Sequence, residues 1–264
     1  VQVLKAEEER FAETLENGMK VLETARQVGL GQADARRTQV ISSLHRSYTT
    51  LERMQPGDGR TDDADLLQLA EQLKEPSVIA VGEIGLDKFL PELAEPVHWA
   101  RQVALFEAQL VLAREHGLPV IIHARRCHAD IVRSLQRVGH AQGGIVHAFS
   151  GSVEEAQQYR RLGLHLGLGG PLTWPQAARL HRVARELPLD AFVLETDAPD
   201  LVPYAHSTQH GDGRLRLTGE RVRNSPAYLP SVLTQFAVLR DEPESALAAQ
   251  FFRNTVTALR LQGL

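Results

Sequence analysis

The sequence predicts a parallel α/β fold of the TIM (β/α)8 type, a barrel lacking its first two strands. Three observations carry that prediction. Short apolar runs rich in Val, Ile and Leu alternate with stretches of helical period, the pattern of right-handed βαβ units with both sheet faces covered. Four strings place a residue able to hold a metal at the end of such a run: Glu83 in VGEIGLD (81–87), His123 in VIIHARR (120–126), His147 in GGIVHAFSG (143–151) and Asp197 in FVLETDAPD (192–200). Polar groups spread over several strand ends point to a barrel, because an open doubly wound sheet gathers its ligands at one switch point.

Along the chain, six runs read as strands: QVISSLH (39–45), SVIAVGE (77–83), PVIIH (119–123), GIVHAF (144–149), LHLGLGG (164–170) and AFVLETD (191–197). Helices are predicted at 63–73, 97–116, 129–138, 153–162 and 175–187. Phe106, Leu110 and Ala113 recur at helical spacing and are assigned to the core. The acidic loop GDGRTDDAD (57–65) lacks the ligand spacing of a calcium loop, so it reads as a helix start capped by Thr61 or Asp62. Six strands do not close an eight-stranded barrel, and the two absent ones would precede residue 39.

Bulk properties set mild bounds. A chain of 264 residues can bury a full core, and α/β barrels of this length form one domain. A net charge of −4, from 33 acidic and 29 basic residues, provides no footprint for long-lived nucleic-acid binding, so any such contact is expected to be transient. Cys127 is the sole cysteine, which excludes an intramolecular disulfide and fits a reducing, cytoplasmic setting. No apolar run approaches the roughly 20 residues that span a bilayer, so no membrane partner is expected.

Imidazole and carboxylate together suit zinc or manganese, and a mixed site with open positions lowers the pKa of bound water toward about 7. Taken singly, each of the four residues is more simply a satisfied polar group at a strand end. Their convergence on parallel strand ends favours a shared metal site. Arg125 at a strand end is a candidate phosphate contact, with a surface arginine as the equal alternative. His45, in LHR, is a second candidate substrate contact, weighed against a solvated loop histidine. Gly167, Gly169 and Gly170 read as a tight strand-to-helix turn.

VGEIGLD, VIIHARRCHAD, GGIVHAFSGS, the GLGG turn with PLTWP, FVLETDAPDL and RNSPAYLP follow one another in an order and spacing that resembles the TatD-type metal-dependent hydrolases. The resemblance covers about residues 39–264. It implies a barrel similar to the amidohydrolases, a pair of divalent ions (Zn, Mn or Mg), and hydrolysis of DNA or another phosphodiester. By the same resemblance Glu83 bridges the two metals and His123 and His147 hold one. Asp197 binds the other and prepares the attacking water, which makes Glu83 and Asp197 the catalytic pair.

The amino-terminal region departs from that pattern. Members of the family begin with a strand ending in a His-x-His pair, and no histidine here precedes His45; Arg46 also stands where the family usually has proline. Residues 2–23 instead read as an amphipathic helix with Leu4, Phe11, Leu15, Met19 and Leu22 on one side, and this stretch resembles a segment of bacterial alanyl-tRNA synthetases. Residues 1–38 are therefore set apart as a foreign helix and junction, from a fused or truncated reading frame, beside a barrel domain at 39–264. The expected consequence is weakened activity, with one metal retained by Glu83, His123 and His147. Two alternatives stand beside this reading: a related barrel hydrolase of C–N or lactone bonds, and a non-catalytic chimeric product.

Overall fold

Five parallel strands form one sheet in a computed structural model that describes residues 61–76, 78–209 and 224–261. They are β1 (Val81–Asp87), β2 (Val120–Arg125), β3 (Gly144–Val146), β4 (Leu164–Leu168) and β5 (Phe192–Leu194), hydrogen-bonded side by side in chain order. An order that never reverses winds the sheet in one direction, as in a barrel wall; a doubly wound sheet would reverse at its switch point. Five of the predicted strands are thus present, while the sixth (39–45), His45 and the helix predicted at 2–23 lie outside the described residues.

All five predicted helices occur between or before these strands: α1 (Thr61–Gln72), α2 (Pro96–Glu115), α3 (His128–Val138), α4 (Val153–Arg161) and α5 (Ala178–Glu186). Local chemistry explains their ends. Pro96 occupies the first turn of α2, where its missing N–H costs nothing. Gly139 ends α3 at φ 70°, a left-handed position that glycine adopts without a Cβ clash. Ser152 and Glu155 form a reciprocal capping box at α4: Glu155 N–H donates to Ser152 Oγ at 3.3 Å and Ser152 N–H donates to Glu155 Oε2 at 2.7 Å.

Three helices after β5 were not anticipated from the sequence: α6 (Tyr204–Gln209), α7 (Leu229–Arg240) and α8 (Glu244–Ala258). The prolines of this region sit in first turns, Pro226 opening a short 3-10 helix and Pro230 at the start of α7. Arg240 at the end of α7 donates from Nη1 to the carbonyls of Ala184, Arg185 and Leu187, satisfying the end of α5. Asn254 of α8 donates to the Leu189 and Phe192 carbonyls, 2.7 Å each, and so fixes α8 to the entrance of β5.

The core lies between sheet and helices. Phe106, Leu110 and Ala113 of α2 are buried as expected, and Leu86, Ile122, Val146, Leu166 and Phe192 supply strand residues to the same cluster. Phe192, Phe236 and Phe251 meet edge to face at 5.1 and 4.9 Å, joining β5 to α7 and α8. Among the described residues no helix is long and apolar enough to cross a membrane.

Candidate active site

The strand ends differ from the predicted runs where the chemistry lies. β3 stops at Val146 and β5 at Leu194, so His147 and Asp197 stand just past their strands rather than at their last residues. The backbone turns out of the sheet there: Arg126 after β2, Ala148 after β3 and Asp197 after β5 have φ of 59°, 44° and 57°. Non-glycine residues in that region carry roughly 1–3 kcal/mol of strain each, and such residues collect at functional sites. Glu83 and His123 project from within β1 and β2, while His147 and Asp197 lie in the turns that follow β3 and β5.

The four predicted ligands do converge. His123 Nδ1–H donates to Glu83 Oε1 at 3.0 Å. His147 Nε2 lies 3.1 Å from Asp197 Oδ1 and 4.0 Å from Glu83 Oε1, so Glu83 stands between the two imidazoles. Two carboxylates that were not assigned from the sequence complete the cluster. Asp87 Oδ2 accepts from His123 Nε2 at 3.2 Å, and Glu195 Oε2 accepts from His147 Nδ1 at 2.9 Å. Asp87 was legible in principle, because residues four apart along an extended strand share a face. Asp87 is four residues after Glu83 and Glu195 two before Asp197.

Arg125 does not enter this cluster; its guanidinium lies 3.4 Å from the centre of the Phe89 ring. The GLGG turn has a specific use. A Cβ on Gly167 would sit 2.4 Å from Glu195 Oε2, so the glycine leaves space for that carboxylate beside His147. Glu195 Oε1 also accepts the Ala148 N–H at 2.5 Å, which ties the turn after β3 to the turn after β5.

The electrostatics follow from four carboxylates facing two imidazoles, a pocket that stays net negative even with both rings protonated. Burial acts to lower the pKa of His147, but hydrogen bonds to Asp197 and Glu195 and the charges of Glu195 and Glu83 outweigh it and push it up to about 11. His123 is pushed up to about 9 in the same way, burial being overcome by Asp87 and Glu83. Burial likewise acts to raise Glu83, yet the His123 hydrogen bond and the two imidazole charges hold it below its ordinary value. Such a cluster holds positive charge firmly, and a metal would enter by displacing those protons.

Among the described residues no three His, Cys, Asp or Glu side chains already surround one point as a ligand shell; they are paired with each other instead. The donor chemistry nevertheless fits a divalent ion. Donor atoms around one tetrahedral metal at bond lengths near 2.1 Å stand roughly 3–3.5 Å apart; His147 Nε2 and Asp197 Oδ1, 3.1 Å apart, meet that spacing, and Glu83 Oε1, 4.0 Å from the same nitrogen, would have to move closer.

Fold and site together define a barrel enzyme with its chemical groups at the carboxyl ends of the strands. The chain belongs to the TatD-related DNase family, whose model matches residues 11–260. That match begins inside the segment set apart by its sequence at 1–38. A relative from Haemophilus influenzae, described as an uncharacterized metal-dependent hydrolase, is 37% identical over 177 residues, 66% of this chain and 68% of the relative. The 3'-5' ssDNA/RNA exonuclease TatD of Pantoea vagans is 36% identical over 74% of this chain and 70% of its own. Among solved structures, YjjV, a TatD homologue of Escherichia coli, is similar with a TM-score of 0.65 and 33% identity, covering 82% of both chains.

Proposed function

We propose that this chain is a divalent-metal-dependent hydrolase of phosphodiesters acting on nucleic acid in the manner of a DNase. One observation carries the reading: Glu83, His123, His147 and Asp197, far apart in sequence, meet at the strand ends within ion-pair distance and are joined by Asp87 and Glu195. Membership of the family and the exonuclease named among the relatives support the substrate class.

In this reading Glu83, His123 and His147 hold the better-supplied of two metal positions, with Asp197 and Glu83 serving the other. When bound, the metal supplies a Lewis acid for the phosphoryl oxygens and lowers the pKa of a water. Asp197 would accept a proton from the attacking water and orient the oxygen of that water toward phosphorus. Glu195 and Asp87 hold the rings of His147 and His123 by their second nitrogens, which sets ring orientation and basicity. Arg125 contacts the strand being cut.

Lys88 favours this reading over the C–N or lactone alternative. The first residue past β1 is the nearest lysine to the cluster along the strand, but it bonds Asp130 at 2.8 Å and covers the Trp99 ring at 3.8 Å. It is thus committed elsewhere and not offered as a carboxylated bridge.

The test is turnover of single-stranded DNA, RNA and a chromogenic phosphodiester with Mg²⁺, Mn²⁺ or Zn²⁺ against EDTA. We expect metal-dependent hydrolysis that falls at least about 100-fold in Glu83→Ala and in His147→Ala. Turnover that survives both substitutions removes the site assignment, and no turnover with any metal favours the non-catalytic alternative.

A further inference from the structure

We propose that Phe89, beside Asp87 of the cluster, is the residue on which an unpaired base of the substrate strand stacks, and so a specificity-determining residue of the site. This rests on the hydrolase reading above and extends it to the mode of recognition. Phe89 follows β1 by two residues, and its N–H donates to Asp87 Oδ1 at 2.6 Å while Asp87 Oδ2 receives His123. The Phe89 backbone is therefore held one carboxylate away from a candidate ligand.

Phe89 is 40% exposed and lies outside the hydrophobic core, so a ligand can reach its ring. Its neighbours are cations. The Arg125 guanidinium is 3.4 Å and that of Arg126 4.8 Å from the ring centre. The neighbouring residue, Leu90, is 45% exposed. An exposed aromatic ring set among positive charges is the composition of single-strand sites, where rings take base faces and guanidinium groups take the backbone. Arginines resting on a ring are held in place by it, and their N–H groups stay available to a phosphate. In a duplex the base faces are already stacked, so the platform discriminates against paired ends.

The test measures binding in EDTA, where cleavage is suppressed and turnover is not needed. Fluorescence anisotropy compares a short labelled single-stranded DNA, the same sequence as RNA, an abasic strand of equal length and a blunt duplex. The parent chain should bind the base-bearing strands about tenfold more tightly than the abasic strand, and Phe89→Ala should abolish that difference. Phe89→Trp should restore it. The DNA and RNA arms show whether one or both backbones are accepted, and on a cleavable strand the Phe89→Ala loss should appear in KM and not in kcat. Equal affinity for base-bearing and abasic strands overturns the proposal. So does a Phe89→Ala chain that binds like the parent but melts earlier, since the ring would then be only a strut for the rim.

Discussion

Glu195 joins two turns and one candidate ligand, which makes it the residue where orientation and metal affinity can be separated from folding. It accepts from His147 Nδ1 and from Ala148 N–H at once. Glu195→Ala should weaken metal binding about 10–100-fold, as losses of a partner behind a metal-bound histidine do, with Glu195→Gln retaining more of it. Isothermal titration with Zn²⁺ or Mn²⁺ measures this directly, and unchanged affinity in Glu195→Ala would refute the role. Gly167→Ala should act in the same direction, because its added methyl meets only the movable end of Glu195. At this scale the sequence was informative wherever a polar residue ended an apolar run, as with Glu83, His123, His147 and Asp197. Asp87 and Glu195 escaped because each sits in a string already explained by a stronger neighbour. Alternation along β1 puts Asp87 on the face of Glu83, whereas Glu195, past the end of β5, meets His147 only through the fold.

Among the elements, β1 and β2 are held by a close backbone approach. A Cβ on Gly85 would stand 2.0 Å from the His123 carbonyl oxygen, which is backbone and cannot swing aside. Gly85 pairs with His123 in the register of the two strands, so the absence of a side chain there lets two candidate ligand strands approach. Gly85→Ala should destabilise the chain by about 3 kcal/mol or more, in the range of severe packing clashes, and urea denaturation would show it. A variant as stable as the parent would mean that the strand pair relaxes freely. Strand existence was legible from the apolar runs, whereas strand ends were not. β3 and β5 finish three residues before the predicted ends because Ala148 and Asp197 turn into the left-handed region, a choice imposed by contacts between strand ends and invisible in either string alone.

For the whole molecule, the alternation of runs and helices was enough to predict a singly wound parallel wall. The closing helices α7 and α8 were not predicted, since their anchors, Arg240 on the α5 carbonyls and Asn254 on β5, are contacts across 50 residues or more. Buried and half-buried histidines away from the cluster set a response to acid. His128, His140 and His165 are each lowered from the ordinary 6.5, chiefly by burial. For such a group the folded chain resists protonation, so its stability contribution is full above pH 6.5 and is lost as pH falls through the depressed folded value. His123 and His147, raised to about 9 and 11, run the other way in the metal-free chain, keeping their contribution below pH 6.5 and losing it as pH rises through those values. A comparison with His140→Gln cancels them. His140 Nε2 donates to the Gly143 carbonyl at 3.0 Å, a bond that glutamine can replace without a titrating group. The urea midpoint of His140→Gln relative to the parent should therefore rise as pH falls from about 7.5 to about 5; a constant difference would exclude the effect.

Cys127 turns the same architecture into a clock. Its Sγ–H donates to the Leu86 carbonyl at 2.9 Å, the side chain is buried, and burial pushes the thiol up to about 12. A thiolate is the reacting species, so a native chain should ignore a thiol-reactive dye at neutral pH and take up one equivalent once unfolded. Because this thiol spans from the start of α3 back to β1, its labelling rate reports how often that seam breathes. Slower labelling on addition of metal would show that ions bound at the strand ends hold the seam closed.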